Sequence, residues 1–156
     1  MLKERGFGEK LGEGWRLFPE EALFLVEDGY LEVVHRKKAL LPEQLRKKFE
    51  RKNRGFLARY LVYKDLRNKG YLLKAGLKYG VDFRVYEKGV KPRVGSRNPE
   101  EHAKFLLWIL DETSPLSPTN LIGMNRVAHS VKKYLWVAIV DRDLGITYTQ
   151  MSRVVP

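Results

Sequence analysis

The apolar positions in the first part of the chain fall into short helical groupings. Pro19-Glu20-Glu21 sets proline early in a helix and acids in its first turn, where the amino-terminal end of the helix dipole favours them. The pattern predicts a helix through Ala22-Leu23-Phe24-Leu25 that stops near Gly29, followed by a strand over residues 30–34. Pro42 opens a second helix, predicted over 43–52, whose exposed face is heavily basic. A third, over 55–68, carries Phe56, Tyr60, Leu61 and Tyr63 at mixed three- and four-residue spacings, and Gly70 is placed to cap it.

Beyond that helix the period changes from helical to alternating. Residues 71–74 read as a strand, and Gly76 and Gly80 bracket a turn. Over 81–86 the alternation predicts a strand with Val81, Phe83 and Val85 on one face and Asp82, Arg84 and Tyr86 on the other. Residues 87–101 hold Gly89, Pro92, Gly95, Pro99 and four basic residues, and read as a basic loop. A strongly apolar strand is expected over 104–110. After the Ser-Pro pairs at 114–118 come a helix over 119–132 and strands over 134–140 and 146–155, joined by a tight turn at 141–145.

The fold class expected is therefore α/β in the α+β sense. A small mixed α/β domain, residues 1–60, is followed by a domain, residues 61–156, with a central mixed sheet flanked by helices. The boundary is soft, because the helix around 58–70 is shared by both parts.

Composition narrows the function. With 156 residues and 44% hydrophobic content the chain can bury a core. No apolar run approaches the roughly 18 residues of a membrane span. The start, MLKERGFGEK, lacks the apolar stretch of a secretory signal, so a soluble, cytoplasmic protein is expected. Lys and Arg number 30 against 19 Asp and Glu, a formal charge of +11 that attracts polyanions, nucleic acid first and anionic lipid as the other reading. The absence of cysteine excludes disulfides, zinc ribbons, iron–sulfur clusters and thiol nucleophiles. His35, His102 and His129 show no metal-ligand spacing. Neither a metal nor a cofactor is expected.

The residues themselves leave the chemistry open. On the late helix, Leu121, Met124, Val127, Ala128 and Val131 gather on one side, and Arg126, His129, Ser130 and Lys133 on the other. Arg126 and Lys133, seven residues apart, could clamp two phosphates, but an ordinary surface helix carries the same stripe. Tyr86 ends an alternating strand and His102 follows the basic loop; singly, each suits a packing or capping role equally well. Taken together they suit cleavage of RNA by its own 2′-hydroxyl, which needs a base, an acid and a cation but no metal. Histidine suits the acid, its ordinary pKa being about 6.5, and lysine is a compact cation. Tyrosine, with a pKa of about 10, needs cationic neighbours to act as the base.

Ordered phrases then point to a family. YLVYKDLRNKGYLLKAGLKYGVDFRVY (60–86), EEHAKFLLW (100–108), NRVAHSVKKYLWVAIVD (125–141) and ITYTQMSRVVP (146–156) resemble the catalytic domain of the tRNA-intron endonucleases. PEEALFLVEDGYLEV (19–33) is similar, more loosely, to the amino-terminal domain of the same proteins. The resemblance implies a nuclease domain over 61–156 and an endoribonuclease, of the tRNA-intron lyase kind, that excises introns from precursor tRNA. Cutting would fall at bulge–helix–bulge junctions and give 2′,3′-cyclic phosphate and 5′-hydroxyl ends. It implies Tyr86 as general base, His102 as general acid and Lys133, the second lysine of HSVKK, as stabiliser of the transition state. It also implies Arg126 and Arg153 as RNA-binding residues that sandwich a bulged base. The implied partners are precursor tRNA and further subunits, in a homotetramer or in a heterotetramer with a structural subunit. One link would pair carboxy-terminal strands, and the other would insert an acidic loop, here Asp141-Arg142-Asp143-Leu144-Gly145, into a basic pocket. Arg142 departs from an all-acidic loop. The alternative within the resemblance is a non-catalytic RNA-binding subunit of the same assembly.

Overall fold

The computed structural model describes residues 4–90, 102–154 and 156. Most of the 87–101 loop expected from the sequence lies outside the described residues, as does Val155. The chain divides into two compact units, Met1–Tyr60 and Leu61–Pro156.

The first unit begins with an antiparallel hairpin, β1 (Glu9–Leu11) and β2 (Gly14–Arg16). Helix α1 (Pro19–Glu27) follows, then a second hairpin, β3 (Val34–His35) and β4 (Lys38–Ala39), and helix α2 (Pro42–Lys52). Both helices start with proline and close their first turn by a side chain that reaches back. The Glu21 carboxylate accepts the Phe18 N–H at 3.1 Å, and the Gln44 amide oxygen accepts the Leu41 N–H at 3.0 Å. Glu21 is buried, and its two oxygens also accept the Gly8 N–H at 3.1 and 3.2 Å, which ties the first hairpin to α1. Phe7, Leu23, Phe24, Leu25, Leu45 and Phe56 form the core. The strand expected over 30–34 does not form. The N–H groups of Tyr30 and Leu31 instead bond the Leu25 carbonyl at 2.8 and 3.2 Å, closing the end of α1, and only Val34–His35 remains to pair.

Helix α3 (Phe56–Asn68) leads into the second unit, ended by Gly70 at φ 90°. A five-stranded mixed sheet follows, in the order β5 (Leu72–Ala75), β6 (Phe83–Tyr86), β7 (Phe105–Asp111), β8 (Tyr134–Val140) and β9 (Ile146–Met151). Only β7 and β8 are parallel, and α4 (Pro118–Ser130) makes the crossover between them. One face of the sheet, through Leu106, Leu110, Leu135 and Val137, packs on Ala128, Leu121, Met124, Val127 and Val131, the apolar side anticipated for α4. The other face meets α3, with Tyr63 against Phe83 at 5.7 Å and the Tyr148 hydroxyl donating to Asp65 at 2.7 Å. The fold class inferred from the pattern holds.

Two details differ from expectation. Val81 does not share a face with Phe83 and Val85 but joins the cluster under α4. The cause is Asp82, whose carboxylate accepts the Ile109 N–H at 2.8 Å and shortens the ladder, so that Val81 lies in a bend before β6. The last strand ends at Met151.

Candidate functional site

The site grows from the register of the sheet. Leu72 pairs with Tyr86 across β5 and β6. The β6–β7 pairing ends at Val85 with Phe105, and one step further, where the Lys104 N–H bonds the Val85 carbonyl at 3.0 Å, Tyr86 stands opposite Lys104. The β7–β8 pairing begins at Phe105 with Tyr134, and one step before it the Tyr134 N–H bonds the Lys104 carbonyl at 3.1 Å, setting Lys104 beside Lys133. Tyr86, Lys104 and Lys133 thus stand in one row across neighbouring strands, at one end of the sheet.

Lys133 reaches this row because α4 stops early. The helix ends at Ser130, the Lys132 N–H bonds the His129 carbonyl at 3.0 Å, and the Lys133 N–H bonds the Ala128 carbonyl at 2.9 Å. Those bonds form a Schellman ending, with Lys132 left-handed at φ 55° where glycine is usual. Lys133 therefore leaves the polar stripe of Arg126, His129 and Ser130 and enters the sheet. The helical clamp of Arg126 and Lys133 does not exist.

The structure brings Lys133 and the His102–Ala103 segment together. The Lys133 ammonium donates to the Ala103 carbonyl at 2.5 Å, and His102, exposed, is the residue before it. Ala103 packs with Leu72 and the buried Tyr86 in a small apolar cluster. Burial pulls the Lys133 pKa below the ordinary lysine value; Tyr79 opposes that shift, and Arg84 and Lys78 add to it by like-charge repulsion. Arg84 is held by a 2.9 Å bond from its Nε to the Ala75 carbonyl. Tyr79, Lys78 and Arg84 had no assigned role in the sequence, although Arg84 shares a strand face with Tyr86 and its spacing could have drawn it in. Arg126 and Arg153, expected as a pair, both line a hollow of about 190 Å³ with Ile122 and Asn125. Among the described residues, no group of histidine and acidic side chains is placed to hold a metal ion.

Two family descriptions match the chain. The catalytic C-terminal domain of the tRNA intron endonucleases covers residues 56–148, and their N-terminal domain covers residues 1–46. The chain belongs to the tRNA intron endonuclease family. It is 43% identical over 154 residues to a tRNA-splicing endonuclease of Thermococcus gammatolerans, a match spanning 97% of this chain and 85% of that protein. A tRNA-splicing endonuclease of Pyrococcus abyssi is 40% identical over 152 residues (97% and 84%), and one of Methanococcus vannielii 39% identical over 152 residues (97% and 82%). The row of Tyr86, Lys104 and Lys133 lies inside the region matched by the family's catalytic domain. No helix among the described residues is long and apolar enough to cross a membrane.

Proposed function

We propose that this chain is a catalytic subunit that cuts precursor tRNA at bulge–helix–bulge junctions by attack of the ribose 2′-hydroxyl on the adjacent phosphodiester. The observation that carries the reading is the Lys133 ammonium on the Ala103 carbonyl, with His102 next in the chain and Tyr86 packed against Ala103. Tyr86 takes the proton of the 2′-hydroxyl. The 2′-oxygen bonds to phosphorus, the bond from phosphorus to the 5′-oxygen breaks, and His102 hands a proton to the departing oxygen. The products are a 2′,3′-cyclic phosphate and a 5′-hydroxyl. Lys133 keeps N–H donors beyond the one given to Ala103, and these face the charge that builds on the phosphorane. Arg84 and Lys133 stand on the Tyr86 face of the sheet.

Arg126 and Arg153 grip the bulged base, since a planar guanidinium stacks on an exposed base. Four subunits assemble, linked through the edge of β9 and through the 141–145 loop. Purified protein is to be incubated with a bulge–helix–bulge RNA in EDTA. The expected result is cleavage with cyclic phosphate ends, slowed at least tenfold in Arg126→Ala. Binding without cleavage, in the presence of every candidate partner subunit, identifies a structural subunit and overturns the catalytic reading.

A further inference from the structure

We propose that the basic face of α2, together with the turn between β3 and β4, is a second RNA-docking surface that grips the phosphate backbone of a paired stem away from the cut. The proposal rests on the reading that the substrate is RNA, but it concerns a different part of the chain from the row on the sheet. Residues 35–52 carry eight Lys and Arg and only two Glu, a surplus of six out of the whole chain's eleven. Both acids are spent inside the helix, Glu43 on Lys47 at 2.9 Å and Glu50 on Arg46 at 2.6 Å. Lys48, Arg51 and Lys52 have no acidic partner among the described residues.

Gln44, Lys47, Lys48 and Arg51 line a hollow of about 350 Å³. The β3–β4 turn adds to the same place. Arg36 and Lys37 sit at φ 49° and 64°, a two-residue turn whose left-handed positions favour Asn and Gly, so this turn spends strain to carry two cations at its tip. His35 records the summed field. Its pKa is pulled down by Lys48 first, then by partial desolvation, then by Arg36 and Lys52. The hollow is lined by cations and one amide, with no aromatic ring on which a base could stack. That chemistry recognises phosphates rather than unpaired bases, and a stem, which presents its phosphates outward, is the part of an RNA that fits.

The test uses the full chain and, as probe, a plain RNA duplex with no bulge. Fluorescence anisotropy over a range of salt concentrations compares wild type with K48Q/R51Q and with K10Q/R16Q, which removes the same charges from β1 and β2. The patch variant is expected to bind about tenfold more weakly at low salt, with the slope of log Kd against log salt reduced by about two; the control stays within about threefold. Equal losses in both variants, or none in the patch variant, overturn the proposal. In the unaltered protein, duplex binding should raise the His35 pKa followed by NMR, and an unmoved value also overturns it. Loss of binding to phosphatidylserine vesicles, with duplex affinity kept, would reassign the patch to membranes. Because the duplex has no junction to cut, absent cleavage leaves this test intact, so the two readings fail separately.

Discussion

Lys133 is where residue chemistry and proposed mechanism meet most directly. Burial makes its charge costly, and Arg84 and Lys78 raise that cost, so the ammonium loses its proton at lower pH than a free side chain does. In the proposed mechanism the substrate phosphodiester brings the missing counter-charge, which grows as the phosphorane forms beside the ammonium, so the site is worth more to the transition state than to the resting enzyme. Lys133→Ala should slow single-turnover cleavage by roughly a hundredfold or more, with RNA affinity changed only about threefold, because one phosphate contact among many is lost. The neighbouring Lys132 is exposed to solvent, and an equal loss in Lys132→Ala would transfer the role to it. The pH profile checks the sign. A lowered lysine pKa means that the cation disappears early as pH rises, so the alkaline fall in rate should begin below the ordinary lysine value of about 10.4. Lys133→Arg keeps its charge throughout and should move that fall upward, at a lower plateau rate. An alkaline limb unmoved by the substitution would detach the titration from this residue.

At the scale of elements, what could be read from the sequence follows from which physical signals are periodic. The apolar side of α4 was legible because five residues repeat at helical spacing, and they pack under the sheet as a group. Helices α1 and α2 were legible because proline and acids mark their starts. The true end of α4 was not legible, since its Schellman turn places Lys132 where glycine would have announced the stop. That hidden turn takes Lys133 off the helical stripe and into the sheet row. Asp82 hid the start of β6 in a similar way, by giving a side chain to a bond that the backbone pattern assigns to the ladder. Tyr86 and His102 could be singled out from residue type and family phrases, and Arg84 by its alternation with Tyr86, whereas the neighbouring Tyr79 and Lys78 depend on packing that no local pattern records. The turn makes its own prediction. A left-handed lysine is strained relative to glycine by about 1 kcal/mol, so Lys132→Gly should raise stability by about that amount in urea unfolding while cleavage stays within about twofold. A loss of stability would mean that the Lys132 side chain contributes more to this corner than its backbone strain costs.

At the scale of the whole molecule, two kinds of contact respond differently to salt. The outer edge of β9 offers backbone donors and acceptors, since in the described sheet only β8 pairs with that strand. Pairing through such an edge depends on backbone hydrogen bonds and apolar packing, which salt leaves largely intact. The 141–145 loop offers charge instead. Asp141 folds it by accepting the Gly145 N–H at 2.8 Å, and Arg142, which interrupts the acids, is held by Glu112 at 2.7 Å. With Arg142 so occupied, Asp141, Asp143 and Glu112 still outnumber it, and the loop keeps the negative balance that the proposed contact with a basic pocket requires. Residues 141–145 are all exposed to water, so the loop contact should weaken as the screening length shrinks from about 10 Å at 0.1 M to about 3 Å at 1 M salt. Light scattering across that range should show the mass of the proposed four-subunit assembly fall to half rather than to a quarter. Arg142→Ala, which makes the loop more acidic, should move the halving to higher salt. A direct drop to the single-chain mass would show that the β9 edge and the loop do not divide the assembly in this way, since the strand pairing would then have failed together with the charged contact.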